Sequence, residues 1–387
     1  MRAAPRSDKF PTETGITMTE GPRESYDVAV IGAGQAGLAI GYFLKRQEKD
    51  FVILDAAQSI GAAWRARWDS LVLFTPRRYD SLPGLPFPGD PDGYPTRDEV
   101  IAYLEDYAEK FALPLDLGNE VRSLTQAGDT FLLDLDSRTI EARQVVVATG
   151  PFQTPRVPDF ARELAPSVFQ AHSQGYRAPS DVPDGTVLVV GGGNSGYQIA
   201  SELSSTHDVY LAVGGRQKPL PQKLLGRDLF WWLVTTRLFK TSIDSRLGRK
   251  LSRRDTLIGS SPRALQRDGV ELKPRLTGAA GRTANFGNGS DLSVDAVIWA
   301  TGFSLDHSWI KLPIIDSDRR LRHRRGVTDV PDLYFLGLPW QHTRGSALLG
   351  WVKEDAEYIA GRIAADGRGV EQLAPAAPRA MATGAHA

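Results

Sequence analysis

Tyr26-Asp-Val-Ala-Val-Ile31, followed by Gly32-Ala-Gly34-Gln35-Ala36-Gly37, is the stretch that decides the fold. The first six residues are a short, largely apolar run, suited to a parallel strand buried on both faces. Behind the glycines, Ala36, Ala39, Ile40, Phe43 and Leu44 recur at helical spacing, which predicts an amphipathic helix. Strand, glycine turn and helix in this order make a βα unit for a dinucleotide. Each glycine has its own steric reason. Gly32 makes the tight turn, Gly34 lets backbone approach a pyrophosphate, and Gly37 lets the helix pack on the strand. Free N–H groups at the helix start, where Gln35 and Ala36 lie, favour a phosphate.

A second strand, Phe51–Leu54, ends at Asp55, 23 residues beyond Gly32 (55 − 32). An acid about 20 residues on is expected to accept ribose hydroxyls. The unit then recurs. Thr186-Val-Leu-Val-Val190 is a strand, Gly191-Gly-Gly193-Asn194-Ser195-Gly196 the turn, and Tyr197–Leu203 a helix. Its next strand, Asp208–Val213, runs into Gly-Gly-Arg216 with no carboxylate at the tip, and Lys218 follows. A guanidinium there can grip a 2′-phosphate that an acid would repel. NADPH is therefore favoured over NADH at the second turn, a solvated arginine being the plain alternative. The acid-tipped first turn suits a ribose with free hydroxyls, as in FAD.

Val145-Val-Val-Ala148-Thr149-Gly150 and Val297-Ile-Trp-Ala300-Thr301-Gly302 are near copies. Each reads as a buried strand ending in a small-residue turn, where the chain can leave one nucleotide domain for the other. Near the C-terminus, Asp332–Gly337 reads as a strand and 346–364 as a helix with Ser346 as its N-cap. If that helix aims its start at a flavin, its partial charge favours the anionic reduced ring by ~0.3–2 kcal/mol.

The chain has 387 residues, room for about two or three domains. Lys+Arg and Asp+Glu are equal at 46 each, so global charge gives no reason to expect nucleic acid as a partner. The count of 0 cysteines excludes disulfides, thiolate metal sites and redox dithiols. No histidine pair has metal-ligand spacing, so no metal is expected. No apolar run reaches the ~20 residues of a transmembrane span, and the polar first residues carry no signal-peptide core. A cytoplasmic protein is expected, with Met18 a second candidate start.

These marks resemble the class B flavoprotein monooxygenases, which include flavin-containing monooxygenases, YUCCA-type enzymes and Baeyer–Villiger enzymes. The resemblance runs from Tyr26 to Ala364. It includes Gly61-Ala-Ala-Trp64 and the H-S-x-x-Y stretch His172-Ser173-Gln-Gly-Tyr176. It also includes Gly337-Leu-Pro-Trp-Gln-His-Thr-Arg344-Gly-Ser346, which looks like the final FAD-binding loop. It implies an α/β fold of two Rossmann-like dinucleotide-binding domains, the FAD domain split by an inserted NADPH domain. The corresponding boundaries are 1–24 and 366–387 as tails, 25–150 and 306–365 as the FAD domain, 151–180 as linker and 181–305 as the NADPH domain. It also implies a mechanism in which NADPH reduces FAD, O2 adds at flavin C4a, and the peroxide passes one oxygen atom to a small-molecule substrate.

Two positions depart from the family pattern. Val168 stands where the fingerprint carries a glycine, four residues before His172. Phe74, in Leu73-Phe74-Thr75-Pro76-Arg77, stands where flavin-containing monooxygenases place an asparagine beside the flavin. The amide is missing unless Thr75 substitutes. His172, Thr75 and Arg344 are the candidates for catalytic roles, with interdomain bracing as the plainer reading of His172. The departure keeps open a reductase or oxidase without oxygen insertion, and a redox-responsive nucleotide-binding regulator is a third reading. The aromatic run 228–239 fits a substrate tunnel, a homodimer contact or a membrane surface, with core packing as the plain alternative. Two basic runs, Arg246–Arg254 and Arg319–Arg325, read first as solvated faces.

Overall fold

The computed structural model describes residues 24–215, 219–253, 256–318 and 320–365. Arg216 and Lys218 therefore lie outside the described residues, as do Met18, Arg254 and Arg319. The first sheet is built around Glu24–Ile31, which pairs in parallel with Phe51–Asp55 on one side and Thr139–Val147 on the other. Leu115–Leu117 extends the first side. Leu333–Phe335, from far down the chain, extends the second in parallel. Antiparallel strands complete this sheet: the hairpin Ser123–Ala127/Thr130–Asp134 on Thr139–Val147, and Val327–Thr328 with His323–Arg324 beyond Leu333–Phe335.

Helix Gln35–Arg46 and helix Val352–Ala364 share one face of this sheet. Leu38 and Leu44 of the first lie in the same buried cluster as Ala356, Ile359 and Ile363 of the second. Helix Arg97–Lys110 joins that cluster through Val100, Tyr103, Leu104 and Tyr107. Its start is fixed by a capping box between Thr96 and Glu99. The two ends of the chain thus bury their apolar stripes against each other.

The second sheet has five parallel strands in the order Glu271–Lys273, Asp208–Ala212, Thr186–Val190, Ala296–Trp299, Phe169–His172. Ala296–Trp299 is buried throughout, and Thr186–Val190 at four of its five residues, as continuous apolar runs require in a parallel sheet covered on both faces. Phe169–His172 falls inside the segment read as a linker and forms the sheet's edge. A three-stranded antiparallel sheet, Leu276–Ala280, Thr283–Phe286 and Asp291–Ser293, covers one face, with Ala279 and Phe286 packed among Leu188, Val190 and Trp299. The chain crosses between the two sheets twice. These crossings, Thr154–Pro155 and Phe303–Ser304, pair antiparallel.

Two local expectations are corrected. The C-terminal helix begins at Val352 with Trp351 as its N-cap, not at Ser346. Arg344–Ala347 forms a separate 3-10 turn capped by Thr343, and Leu348 is extended. Close packing enforces the break: a Cβ on Gly345 would meet the Trp351 and Phe239 side chains, and one on Gly350 would overlap the Tyr79 backbone. The run 228–239, whose residues have helical period, is likewise not one helix. Asp228 caps Leu229–Thr235, and Arg237 then takes φ +58°. The chain folds back so that Phe239 meets Phe230 at 5.7 Å.

Candidate functional site

The two glycine turns are alike in structure as well as in sequence. Gly32 has φ +113° and Gly191 φ +136°, where an L side chain is strained. A Cβ on Gly32 would meet the Ala148 carbonyl, and one on Gly191 the Ala300 carbonyl. The two Ala-Thr-Gly turns are therefore the structural partners of the two glycine turns. A Cβ on Gly37 would overlap the Gly32 carbonyl, and one on Gly196 the Gly191 carbonyl. Gly34 and Gly193 differ from these, with nothing within 4 Å of a Cβ at either. Each is the N-cap of its helix, without a side-chain cap or an acid in the first turn. Two helix starts thus present N–H groups and partial positive charge to open space, which fits a pyrophosphate at each.

Asp55 is fixed by two backbone N–H groups. Its Oδ2 accepts from the Ala33 N–H at 2.6 Å and its Oδ1 from the Ala57 N–H at 2.8 Å. These bonds leave lone pairs on both oxygens. At the matching tip of the second unit, the described residues stop at Gly215. Beside that tip, Arg275 donates from Nη2 to the Gly214 carbonyl at 3.0 Å, a basic group that sequence reading missed. Asn194 is committed to the fold: its Oδ1 accepts from the Ile258 N–H at 2.9 Å. Ser195 follows it in the first turn of the helix.

A relay ties three distant stretches at the first turn. Trp64 Nε1 donates to Gln35 Oε1 at 3.2 Å, and Gln35 Nε2 donates to the Ala347 carbonyl at 3.3 Å. Gly337 has φ +85°, and a Cβ on it would lie 2.9 Å from Ala36 Cβ. The buried Ser346 hydroxyl accepts from the His342 and Thr343 N–H groups, both at 3.0 Å. Ser346 thus shapes the loop that faces the first turn. Arg344 lies half-buried in the same loop.

The crossings between the sheets form a second cluster. Thr301 donates to the Arg156 carbonyl, and the Arg156 N–H to the Gly302 carbonyl. His172 has both ring nitrogens engaged by backbone: Nδ1 accepts from the Gln174 N–H at 3.2 Å, and Nε2 lies 3.0 Å from the Gly302 carbonyl. Nε2 must then carry the proton. Burial holds the His172 pKa below its ordinary value, opposed by the Gly302 bond. This neutral ring braces the crossing at Gly302. Gly150, at φ +71°, opens the other crossing. Arg67 covers both crossings, its guanidinium 4.4 Å from the Phe152 ring centroid and 5.1 Å from that of Phe303. Burial, with repulsion from Arg177, lowers its pKa to about 10. No signal in the sequence marked Arg67, because its neighbours come from three separate segments.

The Phe74 neighbourhood is aromatic and closed. Phe74 stacks on Phe230 at 5.9 Å, and Phe230 packs on Trp351 at 5.8 Å. Gln222 Nε2 donates to the Phe74 carbonyl at 2.9 Å and to Asp228 Oδ2 at 2.8 Å. The Tyr94 hydroxyl also donates to Asp228, at 2.7 Å. The segment after Pro219 is thereby clamped over the stretch where the family amide is missing. The Thr75 hydroxyl, buried, donates to Asp80 Oδ1 at 2.7 Å. Asp80 is fully buried and its Oδ2 has no partner among the described residues. Burial pushes the Asp80 carboxyl up to about 8, against the lowering effects of Thr75 and Arg77.

The family described as pyridine nucleotide-disulphide oxidoreductase matches over residues 29–223. An uncharacterised oxidoreductase similar to CzcO from Geobacillus kaustophilus is 49% identical over 336 residues, 86% of this chain and 97% of that protein. A flavin-containing monooxygenase from Stenotrophomonas maltophilia superposes with a TM-score of 0.75 at 31% identity, covering 89% of this chain and 99% of that one. A probable indole-3-pyruvate monooxygenase, YUCCA7 of Arabidopsis thaliana, is 35% identical over 53% of this chain and 51% of its own length. The chain belongs to the pyridine nucleotide-disulphide oxidoreductase family and, within it, to the class B flavoprotein monooxygenases. It is an oxidoreductase of two Rossmann-like domains, with FAD and NADPH as its cofactors. The family's disulphide chemistry does not apply, since there are 0 cysteines.

Asp80 gives the stability a pH signature. Its folded pKa of about 8 lies above the ~4 of an unfolded aspartate. Between these values the folded chain binds more protons than the unfolded one, so stability falls as pH rises through this window. Thermal melts should show Asp80→Asn matching the parent near pH 4 and gaining on it up to pH 8, then no further. A gap that stays constant, or widens toward acid, would contradict the buried neutral carboxyl.

Proposed function

We propose that the chain takes a hydride from NADPH to FAD and inserts one atom of O2 into a small organic substrate, at a soft heteroatom or ketone, the other atom leaving as water. Bound FAD would supply the hydride acceptor and the oxygen chemistry. The protein's own residues bind, orient and screen. The observation that carries the reading is the pair of open, uncapped helix starts at Gly34 and Gly193, on two sheets joined by paired crossings.

In this reading residues 25–150 and 306–365 hold FAD and 181–305 hold NADPH. Gly32, Gly34 and the first turn from Gln35 to Gly37 would hold the FAD pyrophosphate, and Asp55 its ribose. Trp64, Gly337 and Ser346 shape its far wall, and Gly150 is the exit from that domain. Gly191, Gly193 and the turn from Asn194 to Gly196, with Thr301 and Gly302, would hold NADPH. Arg216, with Arg275 near the same tip, receives the 2′-phosphate. His172 holds the second crossing in place, and Arg67 presents a half-buried positive charge where the two crossings meet. Thr75, with Asp80 behind it, offers the polar group nearest in sequence to the missing amide, and Arg344 offers a cation from the closing loop.

The aromatic stack of Phe74 on Phe230 favours one further reading, a reductase or oxidase that releases H2O2. It supplies no amide where the family has one, and the Thr75 hydroxyl is already given to Asp80.

Two measurements separate these readings. On mixing NADPH-reduced enzyme with O2 in stopped flow, a spectral transient should precede oxidised flavin, and an oxygenated product should form from a thioether or ketone. Direct return to oxidised flavin with stoichiometric H2O2, whatever the substrate class, assigns an oxidase instead. For the second site, Arg216→Ala should raise KM for NADPH by at least about ten-fold, the scale of losing ~1.4 kcal/mol, and leave KM for NADH nearly unchanged. Equal effects on both would remove Arg216 from the 2′-phosphate.

A further inference from the structure

Segment 219–253 is unlike the rest of the surface. Of the 11 exposed large hydrophobic side chains among the described residues, six lie here: Leu220, Leu224, Leu225, Leu238, Leu247 and Leu251. The same segment has eight Lys and Arg against two Asp, in a chain whose formal net charge is zero. All eight basic residues are exposed.

The hairpin formed by Lys223–Leu224 and Arg227–Asp228 is the sharpest case. Its two-residue tip is Leu225-Gly226, at φ +49° and +76°. Such tips ordinarily take Asn-Gly or Asp-Gly, since both positions need φ > 0 and both face water. Here a leucine takes the strained position and is 82% exposed. Trp232, partly exposed, donates from Nε1 to the Leu224 carbonyl at 2.9 Å, so the helix Leu229–Thr235 backs the hairpin. Trp231 beside it carries the Arg227 guanidinium at 5.4 Å from its ring centroid. On the next helix, Leu247 and Leu251 stand four residues apart on one face, flanked by Arg246, Arg249 and Lys250.

We propose that segment 219–253 is a peripheral docking surface for an anionic lipid membrane. Apolar side chains with partly exposed tryptophans and a surrounding excess of Lys and Arg are what a headgroup boundary accepts. No helix among the described residues is long and apolar enough to cross a membrane, so the contact lies in the interface plane. A second copy of the chain fits less well. A self-complementary contact would set eight basic residues against eight, whereas charge is depleted at the centre of protein interfaces. The other basic run serves the fold instead: Arg325 Nε pairs with buried Asp355 at 2.9 Å, and Arg322 pairs with Asp329. The surface itself stands whether or not oxygen insertion does.

The test is sedimentation of FAD-loaded full-length protein with sucrose-filled vesicles of phosphatidylcholine, alone or mixed equally with phosphatidylglycerol. Binding to the mixed vesicles should be strong at low salt, fall with added salt, and be weak on phosphatidylcholine alone. The double variant Arg249→Glu/Lys250→Glu should weaken partition at least about ten-fold, since each basic group adds roughly a five-fold factor at such a surface, and Leu224→Glu/Leu225→Glu should weaken it by at least about as much by removing apolar burial. Both should retain FAD and its reduction by NADPH. Absence of sedimentation at low salt, or binding untouched by both variants, overturns the proposal. So does a dimer that the leucine variant converts to monomer without any vesicle binding, which assigns the face to a second copy.

Discussion

The structure depends on one close backbone approach, made twice. At Gly32 the Ala148 carbonyl fills the space of a side chain, and at Gly191 the Ala300 carbonyl does the same. Each contact locks a phosphate-type turn onto the strand whose end carries the chain across to the other sheet. Any Cβ at those glycines would push strand and turn apart, and the positive φ penalises a side chain independently. Binding turn and domain crossing are therefore one mechanical unit on each side. His172 and Arg67 then fasten the two crossings, one through the Gly302 carbonyl and the other over Phe152 and Phe303.

Local chemistry made the α/β architecture readable in advance. Glycine spacing, β-branched runs and the carboxylate at Asp55 all act within a short stretch, so each leaves a compact mark. The pairing of Ala-Thr-Gly with glycine turns was visible only as repetition, because the contact joins residues more than a hundred positions apart. Ser346 was misread for a similar reason. Its surroundings have helical period, but Gly345 and Gly350 are pressed against Trp351 and the Tyr79 backbone, and tertiary packing splits the helix. Arg237 at positive φ broke the aromatic run in the same way. Asp80 escaped notice because burial, not motif, makes it unusual, and Arg67 because its neighbours come from separate segments.

Whether the proposed oxygen insertion takes place turns on the region where this chain differs from the family pattern. Phe74 exchanges an amide for an aromatic face, and the segment that stacks on it also exposes leucines and basic residues to the outside. Segment 219–253 thus packs Phe230 against Phe74 on its inner side and carries exposed leucines and basic residues on its outer side. In the proposed reading, hydride transfer rests on the two turns and the crossings between them.

Comparing FAD content and anaerobic flavin reduction in Gly34→Val and Gly193→Val tests this division most directly, since a side chain at either position enters space that is open in the fold. Purified Gly34→Val should have lost its FAD. Gly193→Val should keep FAD at the parent's level, yet its flavin should stay oxidised when NADPH is added. Loss of FAD from Gly193→Val with retention in Gly34→Val, or normal reduction by NADPH in both, would contradict the assignment of the two turns.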